Sequence, residues 1–278
     1  MGQAIWPAWP GRRKRLPHGG PPAGPAGGSA CPTVARRLAL QSEAVGSETI
    51  VLAAVWYVAF LLSLTCHEAA HAWVARKAGD PTAYEAGQVT LNPIPHMRRE
   101  PIGTIVAPLI TFFANGFMLG WASAPYDPRW RQLYPKRAAW MALAGPTANF
   151  VLVILCIVAI RIGLLLGAFT IPASLVFSHM VSAAGGELAE GLAQFVSILF
   201  SLNLMLGAFN LLPLPPLDGA TAIGLILSDS MALRLAAFTR NPTFSLIGIL
   251  VAWQVFGKLA GPIFRAGAAL LYPEAYPL

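Results

Sequence analysis

Apolar residues dominate five stretches of the chain, 49–75, 102–122, 138–168, 190–217 and 242–262, with a shorter and weaker run over 264–272. The long runs match the roughly 20 apolar residues that a helix needs to cross a bilayer. The pattern therefore predicts an all-α multi-span membrane protein with about five to six transmembrane helices. Arg76-Lys77 closes the first run, which sets that end on the cytoplasmic side by the positive-inside bias. The 102–122 run is interrupted by Gly103, Pro108, Gly116 and Gly120 and has basic residues on both flanks, Arg98 and Arg99 before it and Arg129, Arg131, Lys136 and Arg137 after it. A re-entrant hairpin satisfies both flanks, because irregular backbone is tolerated at membrane depth inside a protein-lined cavity; a single crossing is the alternative. In the loop before it, Gln88-Val89-Thr90-Leu91 reads as a short strand that would offer an extended peptide an edge.

Composition supports this class. Of 278 residues, 56% are hydrophobic and only 11% charged, a balance for spans and short loops without a large extra domain. The net charge of +7 does not indicate nucleic acid, because the basic residues fall in the N-terminal stretch and in the loops between apolar runs. Residues 1–47, rich in Gly, Pro, Ala and Arg, lack the means to bury a core and are expected to be a disordered basic tail ahead of one domain over 48–278. No apolar segment follows Arg12-Arg13-Lys14-Arg15 closely enough for a standard signal peptide. The three cysteines, Cys31, Cys66 and Cys156, are scattered and form neither a disulfide framework nor a thiolate metal site.

The first run carries an unexpected load: His67-Glu68-Ala69-Ala70-His71. Ionisable groups are expensive in hydrocarbon and are usually kept there for function. Residues four apart share a helix face, so both imidazoles point the same way and together can hold one Zn²⁺, with Glu68 placed as a base toward water. A catalytic zinc takes three protein ligands. Asp218, Asn149, Asn203, Asn210, Cys66 and Cys156 are the candidates at membrane depth. Asp218 is the best of them, because it follows Asn210-Leu211-Leu212-Pro213-Leu214-Pro215-Pro216-Leu217, where the prolines prevent a regular helix. Broken helices between apolar segments often mark membrane-protein sites. Span counting runs 49–75 inward, 138–161 outward and 190–217 inward, which puts His67, His71 and Asp218 near the inner ends of two parallel spans. His179 and Glu187 fall in the outer loop, where His179 is expected at the surface.

The pairing of His67-Glu68-x-x-His71 with Asn210-x-x-Pro213-x-Pro215-x-x-Asp218-Gly219 resembles the site-2 protease family of intramembrane zinc metalloproteases. Leu91-Asn92-Pro93-Ile94-Pro95-His96, Gly120-Trp121-Ala122 and Ala144-Gly145-Pro146-x-x-Asn149 are also similar to its compact members, and the resemblance covers about 50–262. With no PDZ or CBS segment visible, it is to the minimal subgroup. Glu100-Pro101-Ile102-Gly103-Thr104 fits the family's pattern, but Arg98 and Arg99 stand as extra residues ahead of it. The resemblance implies one Zn²⁺ held by His67, His71 and Asp218, with Glu68 catalytic and Asn210 beside the site, orienting Asp218, donating to a developing oxyanion or satisfying backbone freed by the prolines. His96 is a weaker candidate for contacts to substrate or loop. The implied substrate is a transmembrane protein in the lipid bilayer of the plasma membrane, cleaved toward the cytoplasmic side. Two other functions compete. A membrane zinc transporter would spread ligands over several depths and carry a histidine-rich loop, whereas this chain has five histidines and no such loop. An inactive relative that binds transmembrane helices would not need the intact Glu68.

Overall fold

The structure, a computed structural model, describes residues 32–276 apart from Arg240. Cys31 and the first 31 residues of the expected tail lie outside the described residues. Helix α1 (Pro32–Lys77) begins at Pro32, sixteen residues ahead of the boundary read from composition, and its 48–77 part is the first apolar span. Two short helices follow, α2 (Thr82–Glu85) and α3 (Pro93–Arg99), the latter capped by the Asn92 side chain accepting from Ile94 N–H at 3.0 Å. A π-helical turn (Ile102–Val106) leads into α4 (Ala107–Asn115), and α5 (Pro128–Leu133) precedes the long α6 (Pro135–Leu165). The loop between α6 and the next helix holds a two-stranded antiparallel sheet, β1 (Phe169–Thr170) with β2 (Ser182–Ala183). Then come α7 (Glu187–Asn210), α8 (Gly219–Ala222), α9 (Asp229–Thr239) and α10 (Pro242–Leu271).

Four helices among the described residues are long and apolar enough to cross a membrane, 48–77 of α1, α6, α7 and α10. The all-α multi-span class stands, with fewer crossings than the five to six expected, for two reasons. The weak 264–272 run is no separate element; it continues α10 to Leu271. The 102–122 run is a hairpin. Its helical part ends at Asn115, and at 1.5 Å per residue it reaches only about 21 Å, short of the hydrocarbon thickness. Gly116 then adopts φ 80°, a left-handed turn suited to glycine, and the chain returns in extended form until Trp121 N–H donates to Gly103 O at 3.1 Å. Start and finish are adjacent, which is the re-entrant option.

The strand expected at 88–91 does not form. Its polar groups are taken up locally: Thr90 Oγ1 accepts from Asn92 N–H, Thr90 O accepts from His96 Nε2 at 3.1 Å, and Gln88 Nε2 donates to Pro95 O at 3.2 Å. With these bonds the segment curls around a buried His96, which contacts the loop from α3. Arg98 and Arg99 complete the last turn of α3, and Arg99 Nε donates to Ser123 O at 3.0 Å while Glu100 accepts from Ser123 Oγ at 2.8 Å. Arg99, one of the two additional residues, and Glu100 thus bind the loop to the returning limb of the hairpin.

Three spans enclose the core. Trp56, Phe60 and Leu64 of α1 pack with Val153, Cys156 and Ile160 of α6 and with Ile198, Phe200 and Leu204 of α7. The loop between α6 and α7 is pinned by Tyr272, just past α10, whose hydroxyl donates to Met180 O at 2.7 Å. Burial pushes that phenol up to about 12, so the donor proton is retained at neutral pH. His179, half-buried, pairs with Ser178 Oγ at 3.0 Å. The hairpin is seated by glycines: a Cβ on Gly120 would lie 2.1 Å from Gly103 O and 2.6 Å from Phe60 Cζ. Gly120→Ala is expected to cost about 1–3 kcal/mol by overpacking, read as a lowered thermal transition in detergent. Gly191→Ala, in α7 with nothing within 4 Å, should leave the transition unchanged or raise it.

Candidate metal centre

The site forms where α1, α6 and the broken end of α7 meet. His67 and His71, one turn apart on α1, are 5% and 7% exposed, and their Nε2 atoms are 3.0 Å from each other. Asp218 arrives from the other side, with Oδ2 at 3.1 Å from His67 Nε2 and Oδ1 at 3.3 Å from His71 Nε2. One ligand atom from each of the three lies within 4.8 Å of the others, and no other group of three or more His, Cys, Asp or Glu residues among the described residues is so placed.

The break after α7 explains how Asp218 gets there. Pro213, Pro215 and Pro216 supply no N–H, and the remaining donors turn inward: Leu212 N–H to Phe209 O, Leu214 N–H to Leu212 O and Leu217 N–H to Leu214 O. The chain folds back so tightly that a Cβ on Gly219 would meet the carbonyl oxygens of Leu211 and Leu212, each at 2.3 Å. Asp218 is therefore held by packing of its neighbour against the end of its own helix. From the other side Gly248 of α10 braces the turn, with space for no Cβ beside Pro215 O.

Helix α6 forms the back wall. Met141, Gly145 and Asn149 recur every four residues and share one face. They answer His71 and His67 in antiparallel order. His71 Nδ1 donates to Met141 O at 2.7 Å, and His67 Nδ1 lies 2.6 Å from Asn149 Oδ1. Between them a Cβ on Gly145 would stand 2.3 Å from His71 Nε2 and 2.5 Å from His67 Nε2. Asn149 in turn donates through Nδ2 to Asn203 Oδ1 at 2.8 Å, and Asn203 Nδ2 donates to Ser63 Oγ and to Leu199 O, each at 2.8 Å.

These contacts test whether the residues suit a zinc ion. With both Nδ1 atoms donating, both Nε2 atoms present lone pairs to each other and to a carboxylate. Asp218 Oδ2 is buried without a hydrogen-bond partner, although it lies beside His67 Nε2. Three electron-rich atoms in one buried pocket repel unless a cation joins them. Two imidazoles and a carboxylate are a known catalytic zinc set. The residues fit.

Other sequence candidates fall elsewhere. Glu68, 5% exposed, follows His67 on α1, and its carboxylate makes no hydrogen bond among the described residues. Asn149 and Asn203 stand behind His67. Asn210 turns back, with Nδ2 donating to Leu206 O at 3.1 Å, and makes no hydrogen bond to Asp218. Cys66 and Cys156 remain free thiols outside the cluster. Gly145 stands in the sequence only as part of a family motif, and neither its place against the two imidazoles nor the Met141 carbonyl is evident there; the four-residue spacing of 141, 145 and 149 is the available signal.

Gly145→Ala should place a methyl among the ligand atoms and abolish zinc uptake, measured as metal content of purified protein, while the helical signal persists. Full zinc content in that variant would show that the ion binds elsewhere.

Residues 55–252 match the family described as Peptidase family M50. Relatives include YwhC of Bacillus subtilis (strain 168), 38% identical over 76% of this chain and 85% of its own length. Rip2 of Mycobacterium tuberculosis (strain H37Rv) is 29% identical over 74% of this chain and 70% of its own, and Rip2 of Mycolicibacterium smegmatis is 30% identical over 59% and 54%. All three carry zinc metalloprotease names. No solved structure matches. With the site-2 protease resemblance met by a match of this extent, the chain belongs to peptidase family M50 and is a membrane-embedded zinc metalloendopeptidase.

Proposed function

We propose that this enzyme hydrolyses peptide bonds in or near the transmembrane segments of membrane-protein substrates, at a site toward the cytoplasmic side of the plasma membrane. The observation that carries it is the convergence of His67, His71 and Asp218, drawn from two parallel spans into one pocket at the apolar helix bundle. Their depth supports a cut near one face. His71 precedes Lys77 by less than two turns, and Asp218 follows the end of α7. Basic residues gather at that end. Arg137 donates to Ala78 O at 3.0 Å, Arg131 to Thr221 Oγ1 at 3.1 Å, and Lys136 caps the carbonyls of Gly224 and Leu225. Such a cluster favours the cytoplasmic leaflet.

His67, His71 and Asp218 hold the metal. When bound, zinc lowers the pKa of water to about 7 and polarises a carbonyl. Glu68, buried beside the ligands and with no hydrogen bond to its carboxylate among the described residues, accepts the proton of the attacking water and returns it to the leaving amine. Asn210 closes the last turn of α7 through Leu206 O, and in this account it positions the chain that carries Asp218. A transporter would need ligands at further depths, and the cluster at one depth favours the protease.

Glu68→Gln, assayed on a transmembrane substrate in detergent with zinc, is expected to lose at least about 100-fold in cleavage rate with its zinc retained. Unchanged cleavage removes Glu68 from the mechanism. The double variant His67→Ala, Asp218→Ala should purify without zinc, and full occupancy would refute the ligand assignment.

A further inference from the structure

Behind His67, two fully buried amides and a hydroxyl form a single file across three spans: Asn149 of α6, Asn203 of α7 and Ser63 of α1, each 0% exposed. Burying three polar side chains in an apolar bundle is costly, and apolar residues of similar size would pack there without that cost. Their hydrogen bonds have a direction. Leu199 O, a backbone carbonyl, can only accept, so the group of Asn203 that meets it at 2.8 Å is the NH₂. The same NH₂ reaches Ser63 Oγ at 2.8 Å, and Ser63 donates its own proton to Ala59 O at 2.7 Å. Asn203 Oδ1 therefore faces Asn149, whose NH₂ donates to it at 2.8 Å. Asn149 is left with its oxygen toward His67 Nδ1 at 2.6 Å, and an oxygen there requires that Nδ1 carry the proton.

We infer that Ser63, Asn203 and Asn149 are a relay of positioning residues that holds His67 in the Nδ1–H tautomer, so that Nε2 meets the metal as a lone pair. The inference rests on the proposed role of His67 as a ligand. Its consequence follows from the opposite arrangement. If the Asn149 amide turned over, its NH₂ would face Nδ1, and the ring proton would move to Nε2. That proton would then point at Asp218 Oδ2, 3.1 Å away, and at His71 Nε2, 3.0 Å away. The site would satisfy itself with an internal hydrogen bond and exclude the cation. The relay selects against this closed, metal-free form. His71 needs no comparable relay, because its Nδ1 donates directly to a backbone carbonyl, Met141 O, which cannot turn over.

The test uses the full-length protein in detergent, with zinc affinity read by competition with a chelator and the His67 tautomer read by ¹⁵N chemical shifts in the zinc-free protein. In the unsubstituted protein His67 is expected in the Nδ1–H form. Asn203→Leu should raise the Nε2–H population and weaken zinc binding by about 10–100-fold, the usual range for partners behind a metal ligand. The decisive arm repeats that substitution with Asn149→Asp already present. A carboxylate accepts from Nδ1–H whichever way it faces, and its other oxygen meets Asn203 Oδ1 as a second acceptor, so Asn203→Leu should then not weaken zinc binding. Ser63→Ala, which keeps Leu199 O in place, supplies a gentler second variant and should give a smaller loss that also vanishes with Asn149→Asp. Equal weakening in both backgrounds would mean that Asn203 only supports the packing, and would overturn the relay. So would a zinc-free His67 found in the Nε2–H form. The ligand assignment is checked separately by His67→Ala: undiminished zinc affinity there overturns that assignment, while the tautomer measurement still judges the relay alone.

Discussion

Two imidazole lone pairs and a carboxylate crowded into one buried pocket form an arrangement that repels itself, and the architecture around the site follows from maintaining it. Without a cation the three groups would separate or share a proton. Three features prevent that. Helix α1 fixes His67 and His71 four residues apart on one face. The fold-back at Gly219 presses Asp218 toward them, since the neighbouring backbone leaves space for no side chain. Gly145 keeps the wall of α6 far enough away for an ion to fit. The stability that this arrangement sacrifices is recovered when zinc binds, which is the usual coupling of metal affinity to folding.

Irregular backbone interrupts the apolar sequence twice, and each time its polar groups find partners within the protein. The proline-rich break after α7 satisfies its donors within a few residues and is braced by Gly248, while the hairpin over 102–122 closes on itself through Trp121 and Gly103. Neither could face lipid, where an unpaired peptide group costs several kcal/mol. The two devices differ in purpose. The break delivers a ligand. The hairpin brings an extended limb, with Arg99 and Glu100 bonded to Ser123, to the same end of the molecule as the loop that follows α1.

Much of this was legible in the sequence, and the reasons are physical. Hydrophobicity over about 20 residues reports on the bilayer directly, so α1, α6, α7 and α10 were recognisable as spans. Charge bias oriented them, and orientation put Asp218 at the depth of His67 and His71 before any geometry was available. The misreadings concern features that depend on partners. Val89 and Thr90 have strand propensity, but a strand needs a neighbour, and local bonds to His96 and Asn92 were closer at hand. The 264–272 run looked separate because Gly261 and Pro262 punctuate it, yet α10 passes through both. The sequence marks Asn149 and Asn203 as polar residues at membrane depth and candidate ligands; composition cannot say that one amide faces the imidazole and the other faces the first. Met141 acts through its carbonyl, which leaves no trace in residue type.

The central claim is that one zinc ion is held by His67, His71 and Asp218. X-ray absorption at the zinc edge of the purified protein tests it most directly. The account predicts a first shell of nitrogen and oxygen alone, at about 2.0–2.2 Å, with the scattering pattern of two imidazoles. A sulfur scatterer at about 2.3 Å, which would bring Cys66 into the site, would contradict it.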